Sequence, residues 1–227
     1  VGSEMCIRDR KNTTATHSRI GAAVLVVGSL LGVAATIIQP TVSEKAADQA
    51  AAAVAHSGAL VTGAALNGVA VVMMAGGLVW LAWATYRASP WLAFIGGGLG
   101  VIGLFAVMVD NGFNIAGASL ADGLELAEAT ELLGRIFAGG NTAVGMISGL
   151  HAVGIILLGV AAMRAGVQSW AAWAMIAGAI VDLAGFIAGQ HYVAAAGFAV
   201  MTLGFVGAVR ASLGREPVTK VQPSRAM

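Results

Sequence analysis

Long apolar stretches alternate with short polar segments along almost the whole chain. Six of these stretches come close to the roughly 20 residues with which an α-helix crosses a hydrocarbon core of about 30 Å. All prolines fall outside the six interiors, which favours unbroken helices. The pattern predicts an all-α polytopic membrane bundle of six transmembrane helices, at about 20–38, 57–83, 91–109, 142–163, 170–189 and 193–209.

Composition points the same way. The chain is 58% hydrophobic and 10% charged, with a mean hydropathy of +0.86, whereas soluble domains are roughly half apolar and a quarter charged. The net charge of +1 gives no basic field, so we expect no nucleic-acid partner. The lipid bilayer is the partner that this composition predicts. The single cysteine, Cys6, excludes an internal disulfide.

The basic residues predict an orientation, because loops rich in lysine and arginine stay on the cytoplasmic side. If both termini are cytoplasmic, ten of the twelve lysines and arginines lie inside, and only Lys45 and Arg135 lie outside. Aromatic residues flank the two short basic turns, as interfacial anchors do; they are Trp80, Trp83, Tyr86, Trp91, Trp170 and Trp173. The sequence therefore predicts an N-in, C-in topology.

The segments outside the spans differ from one another. MCIRDR near the start resembles translated sequencing-adapter DNA, so we expect residues 1–10 to be non-native and residues 11–19 to form a cytoplasmic segment. Residues 210–227 predict a disordered cytoplasmic tail. On the outer side, an alanine-rich extension precedes the second span, and an amphipathic pattern predicts a surface helix at about 119–138.

Two ionisable residues lie deep within apolar sequence, His151 in SGLHAVGIIL and Asp182 in GAIVDLAGF. They are about equally far from the turn at Gly166 and Val167, so they should reach the same depth. A carboxylate in mid-helix costs about 2.5–3.5 kcal/mol on insertion scales, and we therefore expect Asp182 to face the bundle interior. The pair is either a proton-handling or cation-binding site or a contact that only holds helices together.

Three further polar residues are predicted to support this pair. Asn67, in the second span, stands four residues after Gly63 and is expected to reach the same interior, either as a site residue or as an interhelical hydrogen-bond donor. Ser148 and Asn141 belong to a stripe of small and polar residues on the fourth span, next to His151.

Five more residues lie towards the outer side. Asp110, Asn111 and Asn114 follow the predicted third span, where they either rim a vestibule or serve as capping and loop residues. His56 and His191 begin the second and sixth spans and are remote candidates for axial haem ligands. We otherwise expect no cofactor and no metal site.

Motifs of common enzymes are absent from the sequence. HExxH, GxSxG and Walker-type patterns do not occur, which disfavours proteases, hydrolases and nucleotide-driven proteins. Lysine occurs only at positions 11, 45 and 220, outside the spans, which excludes a retinal Schiff base. We therefore do not expect an enzyme.

The run GLHAVGIILLGVAAMRAGVQSWAAWAMIAGAIVDLAGF resembles part of a group of uncharacterised bacterial integral membrane proteins with six or seven spans. The shared features are the histidine, a short turn that opens with arginine and a small residue, and a glycine-rich following helix. The group usually has proline in that turn, where this chain has Val167, Gln168 and Ser169. The resemblance implies a multi-pass protein of the bacterial inner membrane and transfers no activity.

Three hypotheses of function follow. The first is permeation or transport of a small solute or ion, with a proton-titrating pair at His151 and Asp182. The second is a non-transporting scaffold or interaction protein, and the third is an outer-side haem-binding protein. GxxxG spacings recur in the spans and are compatible with tight packing within one chain or with a homo-oligomer.

Overall fold

The protein's structure is a computed structural model, and it describes residues 2–41, 45–138 and 140–214. For residues 2–15, 17 and 140–142 the description covers only the backbone. Within these ranges the chain forms eight helices. They are α1 (Gly2–Ile38), α2 (Ala46–Thr85), α3 (Pro90–Ala121), α4 (Leu126–Phe137), α5 (Gly140–Ser148), α6 (Leu150–Arg164), α7 (Ser169–Ala188) and α8 (His191–Leu213).

In the described part of the chain, six helical segments are long and apolar enough to cross a membrane. They are Ser18–Ile38, Ala46–Thr85, Pro90–Ala121, Ala143–Arg164, Ser169–Ala188 and His191–Leu213. Large apolar side chains such as Trp91 and Ile187 are 77% and 80% exposed, as expected where lipid is the solvent. Because the described residues contain no strand, the predicted all-α membrane bundle is confirmed. The protein is a multi-pass membrane protein.

The spanning helices form a ring in chain order. α1 packs on α2, α2 on α3, α3 on α6, α6 on α7 and α7 on α8, and a contact between α8 and α1 closes the ring. α2 also reaches α6 across the middle. The centre is filled by side chains that include Leu25, Leu78, Ile155, Met175 and Phe205. Lipid tails are as apolar as these side chains, so close packing has to supply the stabilisation.

The two short basic turns connect antiparallel hairpins. Pro90 begins α3 directly after the first turn, and Gly166 takes a left-handed conformation (φ +75°) in the second. Trp83 and Trp91 are exposed beside the first turn, as interfacial residues should be. Trp80 differs, because it is buried with its ring in the space left by Gly21 of α1. The prediction that Trp80 is an interfacial anchor was therefore wrong.

The third helix is longer than its hydropathy predicts, reaching Ala121 where the sequence suggested an end near residue 109. Its outer end packs with the outer end of α2 and with α4 in a second apolar cluster, which includes Leu60, Ala118, Leu133 and Phe137. These tertiary contacts keep residues 110–121 helical. The outer helix itself spans Leu126–Phe137, shorter than the predicted 119–138, because residues 119–121 belong to α3.

The ends of the chain are more helical than the hydropathy indicates. The backbone of α1 is helical from Gly2, so the segment 11–19 is part of the first helix, while its cytoplasmic location and the non-native origin of residues 1–10 stay predictions. At the other end, α8 continues through residues 210–213, the first part of the predicted tail. Residues 215–227, the rest of that tail, lie outside the described residues.

The fourth span keeps a right-handed helical backbone through Gly149 (φ −57°, ψ −19°), as predicted, and one tightened turn there, called the interruption below, divides it into α5 and α6. α5 ends at Ser148, Gly149 stands between the helices, and α6 starts at Leu150. Adjacent Ser and Gly residues are a common cause of helix kinks. The interruption lies two residues before His151 and therefore shapes the local backbone of the candidate site.

Two glycines bring neighbouring helices against the backbones of the polar pair. A Cβ atom added to Gly103 of α3 would overlap the backbone of His151, and one added to Gly197 of α8 would overlap the backbone of Asp182. α3 thus packs tightly on α6 at His151, and α8 packs tightly on α7 at Asp182. The backbone positions of both residues are set by helices that carry neither side chain.

Substitution of Gly103 by alanine should destabilise the protein. The added methyl group meets backbone atoms that cannot rotate away, and overpacking of this kind costs about 1–3 kcal/mol. Gly98→Ala on the same helix is the control, because a Cβ there meets nothing within 4 Å. Thermal unfolding in detergent should show a lower midpoint for Gly103→Ala only. Equal midpoints for the two variants would contradict the packing described above.

Candidate functional site: a buried histidine–aspartate pair

His151 of α6 and Asp182 of α7 meet inside the ring. His151 Nε2 lies 3.2 Å from Asp182 Oδ2, within hydrogen-bonding distance. His151 is 5% exposed and Asp182 is 0% exposed. Asp182 is twelve residues from Trp170, or about 18 Å along a helix. The pair therefore lies beyond the middle of a hydrocarbon core of about 30 Å.

The helix interruption orients the imidazole. The amide of Ala152 bonds to the carbonyl of Gly149, as in a 3₁₀ turn, and so does not use the carbonyl of Ser148. That carbonyl lies 2.5 Å from His151 Nδ1. Since a carbonyl oxygen can only accept, Nδ1 must carry a hydrogen in this arrangement.

This tautomer fixes the number of protons in the pair. With Nδ1 already protonated, a hydrogen bond between Nε2 and Oδ2 needs one further proton. That proton lies either on Asp182, giving two neutral groups, or on His151, giving an imidazolium beside a carboxylate. Both forms have zero net charge, so His151 and Asp182 together form a site for one proton.

The carboxyl group of Asp182 is only half satisfied. Its Oδ1 is buried and has no hydrogen-bond partner among the described residues. Buried polar atoms in packed proteins are almost always paired, and an unpaired one calls for a specific reason. Oδ1 can accept a hydrogen bond from water or bind a cation that enters beside the pair.

Ser148 takes part through its backbone and not through its side chain. Its hydroxyl donates to the carbonyl of Gly145 at 2.7 Å, which keeps the side chain on its own helix. Asn141, the other predicted residue of this stripe, has its backbone in α5, but its side chain lies outside the described part of the structure. The adjacent residues Ser148 and Gly149 are a local sequence signal for the interruption. The prediction from sequence did not include it.

Asn67 does not join the pair. Its Nδ2 donates to Asn111 Oδ1 of α3 at 3.3 Å. Asn111 is eight residues from Gly103, the residue that touches the backbone of His151, and this spacing corresponds to about 12 Å. Of the two alternatives for Asn67, the structure describes the interhelical hydrogen bond and places no contact to His151 or Asp182 in the described residues.

The three residues predicted for the outer rim lie within α3. Asn114 Nδ2 donates to Asp110 Oδ2 at 3.2 Å, one turn away. Asn111 and Asn114 are buried. The interpretation of these residues as capping and loop residues was therefore wrong, because α3 continues past them to reach the outer cluster.

The two remote haem candidates stand at helix irregularities. His56 is exposed at a kink in α2, where its backbone is non-helical (φ −144°, ψ 41°). His191 is the first residue of α8, and its ring lies 3.9 Å from that of Tyr192. Among the described residues, no group of three or more His, Cys, Asp and Glu side chains could hold a metal ion. Haem binding stays a prediction, and no geometry supports it.

The pair is separate from two open surface cavities. These have volumes of about 500 and 260 Å³ and lie between the outer halves of α2 and α3. Neither is lined by His151 or Asp182. The burial of both residues shows that packed helices close the pair off from solvent.

Function has to be inferred from this geometry alone. No protein-family model, curated protein or solved structure matches the chain. Three features distinguish it. His151 and Asp182 share one proton, Asp182 Oδ1 has no partner among the described residues, and the fourth span contains the interruption beside His151.

A double-mutant cycle should detect the energetic coupling between the two side chains. Replacing either residue by leucine leaves the other buried without its partner, at a cost of about 3–5 kcal/mol for a buried ion pair. The double variant His151→Leu, Asp182→Leu should be more stable than the two single effects predict, by about 0.5–3 kcal/mol. Unfolding in mixed micelles measures the four free energies. The control cycle pairs His151→Leu with Asn67→Leu, and it should be additive. Additivity in both cycles would contradict a direct interaction.

Proposed function

We propose that this protein is a transport protein of the bacterial inner membrane, in which the proton shared by His151 and Asp182 moves with, or in exchange for, a small solute or ion. The observation that carries the proposal is the unpaired Oδ1 of Asp182. A residue kept only to join two helices would be expected to have both carboxyl oxygens bonded. A carboxyl group that has to bind and release a cation needs one oxygen free.

The interrupted fourth span supports the same conclusion. A local 3₁₀ turn in a membrane helix changes which backbone carbonyl groups are bonded within the helix, so a nearby side chain can bond the carbonyl that is released. Here the interruption exposes one backbone carbonyl, that of Ser148, and the side chain that uses it is His151.

In this proposal the protein opens between two pairs of closely packed helices. Small residues join α3 to α6, as at Gly154 against Gly100, and join α7 to α8, as at Gly178 against Met201. The hydrogen bond from His151 to Asp182 crosses from the first helix pair to the second. A small rotation of one pair against the other would break this bond and let water reach the carboxyl group from one side.

The net charge of the His151–Asp182 pair couples proton binding to the closure of the protein. In the closed form the pair is neutral, which suits an interior of low dielectric constant. Loss of the shared proton leaves one uncompensated negative charge, which is expensive unless a proton or another cation replaces it. Closure over an empty, negatively charged site is thus disfavoured, and movement between the two sides requires a bound cation.

The assignment to the bacterial inner membrane rests on the resemblance of residues 149–186 to bacterial multi-pass proteins. The predicted placement of ten basic residues on one side agrees with it. With this orientation, α4 and its exposed Glu125, Glu128 and Glu131 face the outside of the cell.

A scaffold is the second candidate, and the complete burial of Asp182 is the observation in its favour. In that function the hydrogen bond only fixes the register of α6 against α7. The protein would then bind other membrane proteins through its lipid-facing surface, and Asp182 would never exchange its proton.

Proton flux into reconstituted vesicles tests the two functions against each other. The vesicles carry a pH-sensitive dye, a potassium diffusion potential drives the flux, and the interior holds either buffer or a low-molecular-weight cell extract. We expect flux with the wild-type protein in at least one loading and none with Asp182→Asn. Asp122→Asn is the matched control, because it makes the same chemical change at an exposed residue and should retain the flux. Flux that is absent from the wild type in both loadings, or unaffected by Asp182→Asn, would contradict transport through the pair.

A further inference from the structure

The larger cavity is a groove on the outside of the helix ring. It measures about 500 Å³ and runs between α2 and α3, from Ala64 and Ile115 to Met73 and Met108. Val69 and Val72, which line it, are 54% and 56% exposed, so in a membrane the groove opens towards lipid. Every lining residue except Asn111 is apolar or glycine.

Asn111 places one polar group in this groove. The side chain is 3% exposed, and its Oδ1 accepts the hydrogen bond from Asn67. Its Nδ2 is buried and has no partner among the described residues. An unpaired amide donor in an apolar setting costs free energy, and a ligand that supplies an acceptor would offset this cost.

The depth of Asn111 in the membrane indicates which hydrogen-bond acceptor its Nδ2 meets. Asn111 lies twenty residues from Trp91, which is exposed beside the cytoplasmic turn, and this distance corresponds to about 30 Å of helix. The hydrocarbon core has about the same thickness. Its partner Asn67 is sixteen residues from Trp83, or about 24 Å of helix, so the two asparagines lie near the opposite boundary of the core, within reach of the ester carbonyl groups of phospholipids.

The shape of the groove agrees with such a ligand. From the level of Asn67, the groove continues six residues along α2 to Met73, or about 9 Å deeper into the hydrocarbon region. This part has only apolar lining and suits the beginning of an acyl chain. Towards Ala64 and Ile115 the groove leads out of the hydrocarbon core, as the glycerol end of a lipid requires.

We propose that this groove binds one phospholipid from the leaflet on the side of α4, with an acyl chain between α2 and α3 and an ester carbonyl accepting a hydrogen bond from Asn111. The site is separate from His151 and Asp182 and does not depend on their function. Under the predicted orientation this is the outer leaflet. The bound lipid differs from the surrounding bilayer lipid in that it makes a specific hydrogen bond and fills a depression in the protein surface.

Two glycines allow the groove to be filled without disturbing the helices. A Cβ atom at Gly68 or Gly112 meets nothing within 4 Å, so a leucine at either position extends into the groove. Gly98 has equally open surroundings on α3 but lies outside the groove. Gly98→Leu is therefore a control with the same change of side chain on the same helix as Gly112→Leu.

Photo-labelling from lipid tests the site. Each protein is reconstituted in vesicles of phosphatidylethanolamine and phosphatidylglycerol that contain a trace of phosphatidylcholine with a diazirine in one acyl chain. Mass spectrometry then maps the labelled residues. We expect labels concentrated in residues 64–73 and 108–115 relative to the exposed segment around Phe94, with a loss of most of this excess in Gly68→Leu and Gly112→Leu and no loss in Gly98→Leu.

The hydrogen bond has a separate test. Asn111→Leu should reduce the excess labelling by roughly two- to tenfold, the value of one hydrogen bond. Gly68→Leu keeps Asn111 and Asn67 intact, so its result does not depend on whether Asn111→Leu folds. Labels spread evenly over the lipid-facing residues, or unchanged labelling in both filled variants, would overturn the proposal. So would labelling of the groove that falls as the ratio of protein to lipid is raised, because this would show that a second copy of the chain covers it.

Discussion

A carboxyl group in the membrane interior is the constraint on which the rest of this structure depends. Asp182 is wholly buried, and a lone negative charge there would be far more costly than in water. The imidazole of His151 lies 3.2 Å from this carboxyl group, and the backbone carbonyl of Ser148 holds the imidazole in one tautomer. The interruption between α5 and α6 leaves that carbonyl free to bond His151. The local geometry of α6 thereby stabilises the carboxyl group of Asp182 on α7.

Close packing by glycine complements this hydrogen bond. Gly103 and Gly197 bring α3 and α8 against the backbones of His151 and Asp182, so close packing fixes the backbone positions of the pair. The same contacts join α3 to α6 and α7 to α8 at the level of the pair. The hydrogen bond between His151 and Asp182 is a polar link between these two helix pairs.

Much of the architecture was predictable because hydropathy reports directly on the bilayer. The six spans, the two short hairpin turns and the outer amphipathic helix follow from the lengths and periods of apolar runs. The equal depth of His151 and Asp182 follows from counting residues back to one turn. These predictions need only local sequence and the fixed rise of an α-helix.

Features that depend on tertiary contacts could not be predicted in the same way. α3 continues to Ala121 because its outer end packs on α2 and α4, although hydropathy falls near residue 110. Asn67 bonds to Asn111 and not to the pair, since helix rotation decides which of two polar residues it meets. Trp80 turns inward because Gly21, far away in sequence, leaves space for its ring. Only the interruption at Ser148 and Gly149 had a local signal that sequence reasoning missed.

The infrared carboxyl band of Asp182 gives the most direct measurement of the shared proton. It would be recorded on protein in lipid while the bulk pH is varied, with Asp182→Asn to assign the band and His151→Gln to remove the partner. We predict a band whose intensity follows the bulk pH, which moves on transfer to D₂O and which shifts in His151→Gln. A band that ignores pH and D₂O would show a sealed carboxyl group, and it would contradict a site that exchanges a proton.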